Sequence, residues 1–127
     1  MSDRAEALRR LTKLPRVLHA TDFGEQNYER GEDRPVVDIE QANTVSSQLA
    51  LQPTMHAPCL DIDWPCGLIE SSTPGHFHLY IDKPMTWAEY DKLLDVLVEV
   101  GIVEEGYRNA SSQRGATHLR APWERKG

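Results

Sequence analysis

Ala57-Pro58-Cys59-Leu60-Asp61-Ile62-Asp63 leads through Trp64-Pro65-Cys66 into Gly67-Leu68-Ile69-Glu70-Ser71, and then Ser72-Thr73-Pro74-Gly75 leads into His76-Phe77-His78-Leu79-Tyr80-Ile81-Asp82; this stretch decides the fold class. Its outer segments alternate apolar and polar residues with the period of two that a half-buried strand requires. In the first, Pro58, Leu60 and Ile62 point one way and Cys59, Asp61 and Asp63 the other. In the last, Phe77, Leu79 and Ile81 oppose His76, His78, Tyr80 and Asp82. Gly67 to Ser71 reads as a short strand between them. The Ser71–Gly75 cluster is turn chemistry, because proline fixes φ and glycine admits a positive one, so a hairpin is expected there.

Working outward, the chain after Asp82 carries a helix signature. Thr86 is the N-cap, Glu89 closes a capping box, and Met85 is placed to staple against Tyr90. Trp87, Tyr90, Leu94, Leu97 and Val98 form one apolar stripe, and Gly101 supplies the glycine that ends the helix. This helix is expected to cover the Leu60/Phe77 side of the sheet. A polar connection from Glu104 to Gly115 precedes a last alternating segment, Ala116 to Ala121, with Thr117 and Leu119 on one side and His118 and Arg120 on the other.

Toward the N-terminus, Ala5, Leu8 and Leu11 share a stripe over residues 3 to 14, with Asp3 and Glu6 as a capping box and Pro15 as the stop. A second helix is expected from Asp38 to about Leu51, burying Ile39, Ala42, Val45 and Leu49, with Pro53 ending it. Residues 22–35 are polar, contain Gly24 and Gly31, and read as a surface loop. The expectation is an α+β fold with a small RRM-like or ferredoxin-like antiparallel sheet in the order β-β-β-α-β, preceded by two N-terminal helices. It forms a single domain over 1–127, with a helical part at 1–52 and a sheet-plus-helix core at 57–123.

At 127 residues and 39% hydrophobic, the chain can bury one ordinary core. No apolar run approaches the roughly 20 residues that span a bilayer, and Met1-Ser2-Asp3-Arg4 opens without the apolar stretch of a signal peptide. A cytoplasmic protein with no membrane association is expected, and Cys59 and Cys66 then read as reduced packing residues. The net charge of -6 is uneven. Residues 1–16 carry five basic against two acidic residues, and residues 107–127 five against one. The basic termini are either solvated or part of a local phosphate-binding surface.

With the helix on the apolar side, the opposite face would display Asp61, Asp63, His76 and His78, with Tyr80, His118 and Arg120 nearby. Two carboxylates at i and i+2 on one strand project side by side, a geometry suited to Mg²⁺ or Mn²⁺. His76 and His78 can complete a metal site or donate to a phosphate, and the Arg120 guanidinium can clamp phosphate oxygens. The competing reading is a solvated sheet face, since a half-buried antiparallel sheet needs polar residues on its wet side. Asp is nevertheless depleted in strand interiors.

Leu60-Asp61-Ile62-Asp63 followed by Ser72-Thr73-Pro74-Gly75-His76-Phe77-His78-Leu79-Tyr80 resembles the Asp-x-Asp and Gly-x-His strand motifs of the archaeo-eukaryotic primase and primase-polymerase superfamily. The resemblance implies Asp61 and Asp63 as catalytic metal ligands, and His78 or His76 as the contact to an incoming nucleotide. A third family carboxylate has no counterpart, Asp82 lying too close to the histidine motif. The segment from Ala57 to Trp123 also looks like small proteins of actinobacterial viruses, which implies a phage-type accessory protein in the cytoplasm of a host cell.

Together these readings give a protein that binds a nucleotide or nucleic acid on an open sheet face, with Mg²⁺ or Mn²⁺ as the candidate cofactor. Asp61, Asp63 and His78 are its candidate catalytic residues; His76, His118 and Arg120 are its candidate substrate-binding residues. The alternative is a non-catalytic interaction protein that binds a host protein or an immune nucleotide signal. Generic single-stranded RNA binding is disfavoured, because such sheets stack bases on exposed aromatics and this face offers only Tyr80.

Overall fold

A computed structural model describes residues 2–22 and 32–124. The chain is α+β and forms two compact units, Met1–Asp61 and Ile62–Gly127. Among the described residues no helix is long and apolar enough to cross a membrane.

The first unit opens with α1 (Asp3–Leu11). Its N-cap is Ser2, one residue earlier than the sequence suggests, and the Ser2 hydroxyl accepts from the Ala5 N–H. Three antiparallel strands follow in the order β2-β1-β3: β1 (Arg16–Thr21), β2 (Asp33–Val36) and β3 (Thr44–Leu49). This sheet replaces the expected second helix. Asp38 does cap a helical turn, accepting from the Glu40 N–H, but the turn is only Ile39–Gln41. The β-branched pair Thr44 and Val45 and the hydroxyls of Ser46 and Ser47 favour extended backbone, and β1 supplies a ladder partner. Leu49, expected on a helix face, is the buried apolar residue of this unit among the described residues. Pro35 sits in β2, an edge strand, where its missing N–H costs no ladder bond. Of the expected 22–35 loop, Asp33–Pro35 belongs to β2, and residues 23–31 lie outside the described residues.

The segment read as the first core strand is not a strand. Residues 57–63 hold no ladder; only the Ala57 N–H reaches the sheet edge, donating to the Ser47 carbonyl after a single bridge between Gln48 and His56. Pro58 has no N–H to offer, and Asp61 and Asp63 are poor strand formers. The Arg16 guanidinium instead ties the segment down at its start, donating to the Ala57 carbonyl at 2.6 Å and the Pro58 carbonyl at 3.5 Å.

The second unit contains the expected hairpin, β4 (Cys66–Glu70) paired with β5 (Phe77–Ile81), with Gly75 at φ 80° in the connecting turn. It also contains α2 (Trp87–Glu99) with the full Thr86/Glu89 capping box. The Thr86 backbone N–H and hydroxyl each donate to Glu89 Oε1 at 3.0 Å, and the Glu89 N–H returns a bond to the Thr86 hydroxyl. Those donors hold the Glu89 carboxyl below the usual carboxylate range. Gly101, at φ 80°, ends the helix as expected.

The polar connection at 104–115 is a third helix, α3 (Glu105–Arg114), which packs on α2. It lacks an apolar stripe because its contact residue is small: Ser111 is 2% exposed, as is Leu94 of α2. Ser112 donates to Asp91 at 3.0 Å, and the Arg108 guanidinium pairs with Asp95. Residues 116–121 form no strand, so the order in this unit is β4-β5-α2-α3.

The hairpin faces are inverted relative to the sequence reading. Leu68 and Phe77 are 68% and 59% exposed, Leu79 and Ile81 are exposed too, and Leu60 lies outside the sheet. The other face is the less open of the two: His78 is half-buried, Ile69 and Tyr80 are 39% and 43% exposed, and Tyr80 lies close enough to Tyr107 of α3 for their phenols to interact. Burial first, and then the neighbouring Tyr90, push the Tyr107 phenol above its ordinary range. The inversion has a physical basis, since Ile69 and Tyr80 make the His78 face half apolar.

Candidate functional site

In an antiparallel ladder, directly opposed residues share a face. The register Leu68↔Leu79, Ile69↔His78 and Glu70↔Phe77 therefore puts His78 beside Ile69 on the inner side of the hairpin. The turn at Ser71–Gly75 continues this side: the Ser71 N–H donates to the His76 carbonyl and the Thr73 N–H to the Ser71 hydroxyl. After α3, left-handed backbone at Gly115 (φ 70°) lets the chain turn away from the helix. The Thr117 hydroxyl then donates to Ser111 at 3.0 Å, fixing the start of the segment that carries Arg120.

These elements enclose a cleft of about 290 Å³, with His78, Ser71, Ser72 and Ile69 from the hairpin side, and Arg120 from the C-terminal segment. Glu70 and Glu124 complete its polar lining. The donor set suits an anion: an imidazole, two hydroxyls and a guanidinium fork. The Glu124 carboxylate would repel a bare dianion and suit one whose charge is offset by a bound cation.

Of the residues singled out from the sequence, the structure brings His78 and Arg120 together. Asp61 is exposed and is the last residue of the first unit; Asp63 is exposed in the bend that leads to β4. Neither stands on a strand, so the side-by-side projection expected of an i, i+2 pair does not arise from a ladder. His76 is exposed in the turn, where its backbone rather than its ring is engaged. His118 is exposed on the segment between α3 and the cleft. Among the described residues no three His, Cys, Asp or Glu side chains converge as metal ligands. Cys59 and Cys66 are free and exposed rather than packed.

The first unit holds polar pairs that sequence reading missed. His19 Nδ1 lies 3.0 Å from Asp33 Oδ1, and the Thr21 hydroxyl donates to the same oxygen at 2.8 Å. Beside them the Asn43 side chain replaces a ladder residue, accepting from the Thr21 N–H and donating to the Thr21 carbonyl. Ser47 and His56 meet at 2.9 Å. The available signal was the Val17-Leu18-His19-Ala20-Thr21 run after Pro15, whose composition favours a strand.

No known family model, curated protein or solved structure matches the chain.

Proposed function

We propose that the second unit binds a phosphate-bearing ligand, a nucleotide or a nucleic-acid end, in the cleft between His78 and Arg120. The observation that supports this most is that two residues singled out for phosphate contact from the sequence, 42 positions apart, line one cleft. Its 290 Å³ is near the small end of the roughly 300–1,000 Å³ of ligand sites, enough for a diphosphate and part of a sugar. Glu124 in the lining favours a ligand that arrives with Mg²⁺ or Mn²⁺ on its phosphates. The primase-type reading, with Asp61 and Asp63 as metal ligands, nucleotidyl transfer and an RRM-like sheet in a phage-type accessory protein, rests on the motif resemblance. His76 and His118 belong to this reading as outer contacts to the ligand.

Calorimetric titration of the full chain with ADP, pyrophosphate and adenosine, each with and without Mg²⁺, tests it. ADP and pyrophosphate bind and adenosine does not, and Mg²⁺ tightens both. Arg120→Ala weakens binding by about 10-fold or more, the loss of one charge-assisted contact of about 1.5–3 kcal/mol. His78→Ala weakens it by a smaller factor. Absence of binding at millimolar ligand overturns the proposal. A response to Mg²⁺ alone that disappears in the Asp61→Asn, Asp63→Asn variant supports a resident cation, whereas no such response leaves the cation with the ligand.

A further inference from the structure

The outer face of the hairpin is built unlike the inner one. The register continues past the strand ends, since the Asp82 N–H donates to the Pro65 carbonyl at 2.8 Å and Lys83 Nζ lies 5.6 Å from the centre of the Trp64 ring. One face therefore presents Trp64, Leu68, Phe77, Leu79 and Ile81, with the cation of Lys83 at its open end and the carboxylate of Glu70 at its turn end. Its apolar residues are all exposed by at least 41%. At roughly 200 Å² for a fully exposed large side chain, they offer about 500 Å² of apolar surface, at the upper end of what a monomer normally leaves open.

A two-stranded hairpin is marginal in water unless something covers it. The inner face meets Tyr107 through Tyr80 and the C-terminal segment across the cleft, whereas the large apolar residues of the outer face are 41–68% exposed. Its charge layout selects the cover. A rotation of 180° about an axis across the strands lays the open end of one hairpin over the turn end of another. That brings Lys83 of each protomer to the rim that holds Glu70 of its partner, one strand spacing to the side and within reach of its side chain, and sets the apolar rows against each other. A face with a cation at one end, a carboxylate at the other and hydrocarbon between is complementary to a second copy of itself. Two such faces bury about 1,000 Å², the lower limit for a specific interface.

We infer that the outer face of the β4–β5 hairpin is a homodimer interface, with two copies packed antiparallel and Glu70–Lys83 pairs closing both rims. The His78–Arg120 clefts face outward on both protomers, so ligand binding and dimerisation are separable.

Sedimentation velocity on the full chain, with reducing agent present so that Cys66 forms no disulfide, tests this over low to high micromolar protein. A concentration-dependent monomer–dimer equilibrium is expected. Leu68→Asp abolishes the dimer and leaves the circular dichroism unchanged. Glu70→Lys alone and Lys83→Glu alone each weaken it by about 10-fold, because like charges then meet at both rims, and the double reversal restores it. The rim residues are exposed, so the charge reversals decide the matter even if Leu68→Asp impairs folding. Monomers throughout the range, including a monomer that captures a different protein, overturn the inference. So does a dimer indifferent to Leu68→Asp, or a double reversal no better than the singles.

Discussion

Leu94→Ala is the sharpest perturbation of the second unit. The leucine is 2% exposed, and it is the buried apolar residue in that unit among the described residues. Alanine removes three carbons, about 2.4 kcal/mol at roughly 0.8 kcal/mol per methylene. The cavity left between α2 and α3 raises the loss to about 3–4 kcal/mol. A unit of about 60 residues holds about 3–9 kcal/mol in total, so this one change removes a third of its stability or all of it. The melting temperature should fall by at least about 12 °C. All three tryptophans, Trp64, Trp87 and Trp123, belong to this unit, so urea melts followed by tryptophan fluorescence report on it alone. Leu97→Ala, at a half-buried position, should cost only about 1–2 kcal/mol in the same assay. A loss under about 0.5 kcal/mol for Leu94→Ala would refute the assignment of the α2–α3 contact as the centre of this unit.

Thr86→Ala removes the N-cap of α2 and should cost about 1 kcal/mol near neutral pH, read from the same melts. Because the capping donors lower the Glu89 carboxyl, its contribution is present above the ordinary carboxylate range and fades as pH falls through the lowered value, so the wild-type advantage over Thr86→Ala should shrink in acid. Tyr107 titrates in the opposite sense: its raised phenol stays protonated at pH values where a free tyrosine ionises, and its contribution to stability is lost as pH rises through that raised value. Ultraviolet titration should show one late tyrosine that Tyr107→Phe removes, and an unchanged titration would contradict the packing of Tyr80, Tyr90 and Tyr107 around one another.

Local signals were legible wherever the chemistry is contained within a few residues. The Thr86/Glu89 box, the Gly101 stop and the Ser71–Gly75 turn each specify their own geometry, and each forms as read. Long-range pairing was not legible. Nothing near Val45 or Leu49 tells the reader that Arg16–Thr21 is available as a partner, and the i, i+3, i+4 spacing of Ile39, Ala42, Val45 and Leu49 imitates a helix. Alternation in Leu60-Asp61-Ile62-Asp63 likewise imitates a strand that no neighbour pairs. α3 escaped notice because its close approach to α2 is made through Ser111, a polar residue small enough to bury. Two of the six residues singled out for the site line one cleft, for a reason that is largely local. His78 is held by a hairpin whose register is local, and Arg120 is carried to it by the Ser111–Thr117 bond, whereas Asp61 and Asp63 depended on a ladder that is absent. The sidedness of the hairpin was misread because alternation identifies two faces without saying which one is covered.

The most direct measurement is an amide chemical-shift titration of the isotopically labelled full chain with Mg²⁺-pyrophosphate. Shifts concentrated at Ser71, Ser72, His78 and Arg120, saturating together and lost in Arg120→Ala, are the result that a phosphate site in this cleft requires. No shifts at millimolar ligand, or shifts gathered instead around Thr21 and Asp33 in the first unit, would contradict it.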